Sequence, residues 1–405
     1  MNFSRIFRAK GSSDVENKGK ENRIILHEKD QGDSRGRIDV RFLIYCLLTL
    51  IFGALMNFSA SSVYAEQLYG QSTYFLVRYV LFAALSAAVG AFFVKKATIG
   101  FWRAFARAVY AVSIGMLLLV LLMGTVGGGA QRWLAIGPIT IQPSEVAKLA
   151  VIMMLARYLS DHEMQVLSPE KGRGSFVHGF LMPGVVIGCV GVLVALEKHI
   201  SGLMIIGMIG IAVMFLGGTR LRWLLLIVGG VVLAGVGLIL VSDYAQTRVH
   251  TWLNIDTVDP LGEAWQTLQG LYAIGSGGVF GLGLFGSRQK YGYVSQPQND
   301  FVFTVICEEL GFLGAALVLL LFACIVIRGA KIACRLPDRF ACLVALGLVV
   351  KLAIQVILNI AVVTNSMPNT GISLPFFSSG GTSLALQIFE MSIILNLSRY
   401  SRLKK

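Results

Sequence analysis

Hydrophobic positions along this chain gather into long unbroken runs, where soluble strands would alternate and amphipathic helices would show a three-to-four spacing. Ten such runs, at about 42–64, 74–94, 104–126, 144–159, 179–196, 201–217, 223–241, 301–327, 341–363 and 382–397, lie near the ~20 residues a helix needs to cross hydrocarbon. The pattern predicts an all-α polytopic membrane protein with about ten transmembrane helices. One polar stretch, 244–300, is far longer than the other connections between the runs, and long loops on rigid scaffolds commonly carry chemistry.

Composition agrees: of 405 residues, 55% are hydrophobic and 14% charged. The cations give the orientation, because Lys and Arg accumulate in short cytoplasmic loops. Lys95, Lys96, Arg103, Arg107, Arg157, Lys171, Arg173, Arg220, Arg222, Arg328, Lys331, Arg335 and Arg339 share one side with both tails, which places both termini in the cytoplasm. The net charge of +13 then reads as a topology signal with a preference for anionic lipid, and no nucleic-acid partner is expected. Residues 1–40 carry mixed charge without apolar periodicity and are expected to be a disordered cytoplasmic tail. The membrane domain runs from 41 to 400, and 401–405 form a second short tail. The first helix is expected to stay as an anchor, since the polar tail is too long for a signal-peptide n-region. Cys46, Cys189, Cys307, Cys324, Cys334 and Cys342 fall within or at the ends of apolar runs, which suits packing better than disulfides or a metal.

Three segments on the side opposite the cations hold the candidate chemistry. In GGGAQRWLAIGPITIQPSEVAKLA, residues 127–150, glycines and prolines favour an irregular backbone, and Ser144 can cap a helix with Glu145 in its first turn. Glu145 and Lys148, three apart, share a helix face as a structural pair or as substrate contacts. The long loop ends in PQND before Phe301, where Asp300 could be an N-cap or a catalytic carboxylate. NSMPNTGISLPFFSSGGTS, residues 365–383, reads as a re-entrant or cavity-lining loop. Glu308 and Glu309, costly inside a membrane helix, should face a cavity or pair with Lys351. The glycines of GSGGVFGLG, residues 275–283, follow no βαβ pattern, so a dinucleotide site is excluded.

Taken in order, QRWLAIGPITIQPSEVAKLA, DPLGEAWQTLQGLYAIGSGGVFGLG with QKYGYVSQPQNDFVFTVICEELGFLG, and MPNTGISLPFFSSGGTS closely resemble the signature regions of the SEDS family (shape, elongation, division and sporulation), the group of FtsW, RodA and SpoVE. QKYGYVSQPQNDF looks more like the FtsW and SpoVE branch. The resemblance implies a ten-helix peptidoglycan glycosyltransferase that polymerises lipid II outside the cytoplasmic membrane, beside a class B penicillin-binding protein (a transpeptidase) and other division or sporulation proteins. It implies Asp300 as the essential carboxylate, with Asn299 in place of the usual Thr. Gln269, Ser276, Lys290 and Ser378 match family positions near the active cavity, although Ser379 stands where Tyr is usual. LEKHISG, residues 196–202, replaces a typical Q-P-D-x-G. His199 within it reads as an interfacial histidine and is left out of the mechanism.

The chemistry can also be argued from the residues. A sugar hydroxyl must attack an anomeric carbon as lipid pyrophosphate leaves, which calls for a base and for charge neutralisation. Asp300 suits the base, Arg132 and Lys148 the charge. A divalent cation, Mg²⁺ or Mn²⁺, held partly by Asp300 is equally compatible, and no organic cofactor is required. Single displacement inverts the anomeric centre, so no second catalytic carboxylate is needed. A lipid-linked precursor flippase or a noncatalytic scaffold of the division machinery are the rival readings. No internal repeat of the transporter kind supports the first.

Overall fold

A computed structural model describes residues 36–401, apart from 128–129, 138, 168–174, 242, 256, 260–261 and 263. The expected N-terminal tail up to residue 35, the last four residues, Lys171, Arg173 and Pro138 therefore lie outside the described residues.

The long apolar runs form helices α1 (Val40–Tyr69), α2 (Tyr74–Lys96), α3 (Ile99–Met123), α4 (Pro143–Asp161), the short α5 (Glu163–Leu167), α6 (Met182–Leu196, entered through a π turn at Val177–Leu181), α7 (Ile200–Leu216) and α8 (Leu221–Val241). After α9 (Asp243–Leu253) and α10 (Trp265–Gly277) come α11 (Val302–Ala333), α12 (Arg339–Val363) and α13 (Gly381–Leu397). Six helical stretches among the described residues, at Val40–Tyr69, Tyr74–Lys96, Ile99–Met123, Val177–Leu196, Val302–Ala333 and Arg339–Val363, are long and apolar enough to cross a membrane. Large side chains such as Ile51, Leu81, Leu122 and Leu233 stand exposed on their helices, an arrangement suited to lipid and not to water. The chain is a helical membrane protein.

The bundle is built around α12 and α4. The apolar window of α12 is 67% buried, about twice the share of the other five stretches, because α11, α4 and α7 all pack on it. Elsewhere α13 lies along α2 and α3 along α4. Many cations of the orientation argument are held in ion pairs between helix ends: Arg328 with Asp39 at 2.6 Å, Arg103 with Asp161 at 3.0 Å, and Arg339 with Glu163 at 3.5 Å.

Two expectations about loops need correction. The segment after α3 folds as a small antiparallel sheet, β1 (Thr125–Gly127), β2 (Ala130–Ile136) and β3 (Ile139–Ile141), with Leu134 opposite Ile141 and Ile136 opposite Ile139. The β-branched residues Ile136, Ile139, Thr140 and Ile141 favour strand over the irregular backbone that the glycines suggested. The 244–300 stretch, read as a loop, contains most of α9 and all of α10.

The glycine cluster at 275–283 has a packing role. Helix α11 breaks at Gly311, whose φ of 65° and ψ of −162° leave the helical region. The segment after α10 crosses that break, and its backbone takes over the interrupted ladder. Leu282 and Gly283 N–H donate to Glu308 and Glu309 carbonyls, each at 2.9 Å, while Phe312 and Leu313 N–H donate to Gly278 and Val279. A Cβ on Gly311 would sit 2.4 Å from the Gly281 nitrogen, so neither chain can carry a side chain at the crossing. Irregular backbone within a membrane bundle persists only where its polar groups are satisfied in this way.

Glu308 and Glu309 complete the same junction. Glu309, fully buried, accepts from Ser59 Oγ at 2.7 Å and from Lys290 Nζ at 3.0 Å. Glu308 accepts from Ser287 Oγ at 2.5 Å and from Arg288 N–H at 2.9 Å. The expected partner Lys351 is paired with Glu390 of α13 instead, so the two glutamates fasten the 285–290 segment to α11.

Candidate active site

A cavity of about 320 Å³ opens where β2, the 295–300 segment and the 371–383 segment meet. Its lining includes Arg132, Trp133, Gln142, His199, Gln266, Ser295, Gln296, Asn299, Asp300, Gly371, Ser373, Ser378 and Ser383. Three of the sequence candidates, Arg132, Asp300 and Ser378, are there together.

Asp300 is not the cap of α11. The cap residue is Phe301, and no side chain caps that terminus. The Asp300 backbone is fixed from behind: Asn359 of α12, fully buried, donates through Nδ2 to Asp300 O at 2.8 Å and to Ile372 O at 2.7 Å. One amide thus joins the end of the long loop to the loop before α13. Gly371 is the close neighbour of the carboxylate. Its φ is 66°, and a Cβ there would stand 3.4 Å from Asp300 Oδ2. Burial pushes the Asp300 carboxyl up to about 6, against the opposing pull of Arg248 and Arg132. A carboxylate with that affinity for a proton is a better base than an exposed Asp.

Arg132, on β2, has a buried Nε without a hydrogen-bond partner, a donor available to an anion in the cavity. His199 precedes α7, and its Nδ1 lies 3.1 Å from Ser144 Oγ. Burial first, then the charges of Arg132 and Lys148, push its pKa down to about 4, so the ring is neutral at physiological pH. Its place in the cavity was missed because a lone His between apolar runs has no distinguishing pattern. The Ser144 hydroxyl, expected as a cap, meets this ring instead; Gln142 is the cap of α4 and Pro143 its first residue.

Two of the three departures from the family pattern, Asn299 and Ser379, meet each other. Ser379 Oγ donates to Asn299 Oδ1 at 2.8 Å, and Ser379 N–H donates to Gln298 O at 2.9 Å. Beside them Ser378 Oγ donates to Asn299 O and, at 3.0 Å, to Leu374 O. A Tyr at 379 could not make the short Ser–Asn contact in the same backbone geometry.

Other expected site residues lie elsewhere. Lys148 Nζ is 2.5 Å from Glu145 Oε1, and Lys148 is outside the lining of the Asp300 cavity. Glu145 borders a separate apolar groove with Leu85, Val89, Ile141 and Phe389. Lys290 is held by Glu309 and by Phe285 O at 2.8 Å. On α10, Ser276 Oγ returns to Ala273 O at 3.1 Å and Gln269 is buried away from the lining, whereas Gln266 one turn earlier reaches the cavity.

As for a divalent cation, no group of three or more His, Cys, Asp or Glu suited to a metal exists among the described residues. Asp300 is a lone carboxylate, which fits an ion held jointly with phosphate oxygens and not an all-protein cage.

Residues 40–403 match the family described as "cell cycle protein", FTSW_RODA_SPOVE. The stage V sporulation protein E of Bacillus subtilis is 39% identical over 367 residues, covering 90% of this chain and 98% of its own. A probable peptidoglycan glycosyltransferase FtsW of Trichlorobacter lovleyi is 36% identical over 368 residues, covering 89% of this chain and 93% of its own. Among solved structures, a chain from a peptidoglycan synthase complex, described for its structural coordination of polymerization and crosslinking, superposes with a TM-score of 0.73 at 25% identity, over 91% of this chain and 99% of that one. The rod shape determining protein RodA of Thermus thermophilus shares the fold, with a TM-score of 0.65 at 24% identity over 91% of this chain and 98% of its own. The chain belongs to the FtsW, RodA and SpoVE family, the SEDS proteins.

Proposed function

We propose that this protein is a peptidoglycan glycosyltransferase that polymerises lipid II into glycan strands on the outer face of the bacterial cytoplasmic membrane, in division or sporulation. The observation that carries the reading is Asp300: a carboxylate not spent on capping, raised to about 6, in a polar cavity that also holds Arg132. In the reaction, the acceptor sugar hydroxyl attacks the anomeric carbon of the donor. Its proton passes to Asp300, the new glycosidic bond forms, and the bond to the lipid pyrophosphate breaks with the electron pair on the leaving oxygen. The unpartnered Nε of Arg132 is suited to the charge that develops there. Displacement on one face inverts the centre. A divalent cation, when bound, would be held by Asp300 with the substrate phosphates and would neutralise part of the same charge. Lys148 reaches the reaction only through the field of its pair with Glu145.

Ten membrane crossings with both termini in the cytoplasm put this cavity on the outer side, in keeping with the distribution of Lys and Arg. A class B penicillin-binding protein is the proposed partner. Support comes from α8, where a Cβ added at Gly229, Gly230, Gly235 or Gly237 would meet nothing within 4 Å; these glycines leave a smooth surface for another helix. The test is conversion of purified lipid II by the protein reconstituted in liposomes with that transpeptidase. Glycan polymer is the expected product. Movement of lipid II between leaflets without polymer would replace the proposal with a transporter.

A further inference from the structure

A second cavity, of about 240 Å³, adjoins the first at Gln266, which lines both. Its wall combines Arg248, Thr251 and Trp252 of α9, Gln266 of α10, and Asn365 and Asn369 from the segment after α12. The indole is held in place, since Trp252 Nε1 donates to Asn365 O at 2.9 Å. The Arg248 guanidinium donates to the Asn369 carbonyl, and Asn369 Nδ2 lies 3.5 Å from Gln266 Oε1. Arg248 is also near enough to Asp300 to act on its charge.

The lining selects among ligand classes. An aromatic ring with side-chain amides and hydroxyls suits N-acetylated sugar rings, whose apolar faces stack and whose hydroxyl and acetamido groups pair with Asn, Gln and Thr. A pyrophosphate would call for several cations, whereas this wall offers one, already engaged with a backbone carbonyl. A polymerase must also hold a strand beside the bond it is forming. Resting on the polymerase reading above, we infer that the cavity at Trp252 is a saccharide subsite that holds N-acetylhexosamine units of the glycan strand next to Asp300.

The experiment compares the full chain, with its transpeptidase partner in nanodiscs, as wild type, Trp252→Ala and Trp252→Phe. Three readouts are taken on proteins with matched unfolding temperatures: glycan chain length from lipid II, retention of the transpeptidase on co-purification, and affinity for a probe, the N-acetylglucosamine tetramer, by calorimetry. Trp252→Ala is expected to shorten chains and weaken the tetramer by about three- to tenfold, the size of losing one aromatic contact, with Trp252→Phe in between. Chains of wild-type length together with unchanged tetramer affinity in Trp252→Ala would overturn the subsite. So would loss of the transpeptidase without change in tetramer affinity, which would make the cavity a partner contact. Absence of any chains from wild type would instead count against the polymerase reading itself.

Discussion

The junction between the long loop and α11 yields the most quantitative prediction. Lys290 and Glu309 are both nearly or wholly buried and 3.0 Å apart. Lys290→Met leaves the Glu309 carboxylate with only Ser59 Oγ and Ser287 N–H. Glu309→Leu leaves the Lys290 ammonium with Phe285 O at 2.8 Å and Ser59 Oγ at 3.4 Å. Stranding one member of a buried ion pair costs about 3–5 kcal/mol, and each single variant is expected to lose about that much stability. The double variant removes both charges and leaves the Ser59 hydroxyl, the Ser287 N–H and the Phe285 carbonyl without these partners. Its expected loss is about 1–3 kcal/mol, so the two changes are coupled by roughly 3 kcal/mol or more. Thermal unfolding of the four proteins in one detergent, closed as a double-mutant cycle, measures that coupling. A Lys290→Met protein within about 0.5 kcal/mol of wild type would refute the reasoning, as would strictly additive losses.

Three other expectations concern the cavity. Asn359→Leu removes both donors that join Asp300 to Ile372, and it should lower lipid II turnover by about tenfold or more, since small misplacements of a reacting group are costly; unchanged turnover in a folded variant would show that Asn359 does not position the carboxylate. The base must be ionised, so the rate should climb as pH rises through about 6 and level off above it, and a pH–rate profile without that acidic limb would contradict the assignment. Ser379→Ala and Asn299→Ala should each lower turnover by about threefold to tenfold, with the double variant no worse than the weaker single, because they break one hydrogen bond; additive losses would mean independent roles.

Much of this site was legible because its residues belong to contiguous motifs. Arg132, Asp300 and Ser378 stand in long ordered patterns, and all three line the cavity. What failed was everything set by packing between distant elements. A motif places α10 beside the cavity but not its rotation, so Gln269 was expected where Gln266 stands. Lys290 resembled a substrate cation because its partner lies 19 positions away, beyond the end of the loop and inside α11. The Asn299–Ser379 contact spans 80 positions, and each change read alone looked like a loss. The apolar runs, by contrast, needed no distant information, since membrane length and hydropathy act locally.

The central claim is that Asp300 takes the proton of the acceptor hydroxyl. Its most direct test is the rate of glycan formation from lipid II by wild type, Asp300→Asn and Asp300→Ala, each with the transpeptidase partner and with and without Mg²⁺ or Mn²⁺. Loss of about a hundredfold or more in both variants, at normal stability and partner binding, is the expected result. Polymerisation by a well-folded Asp300→Ala protein at near the wild-type rate would contradict it.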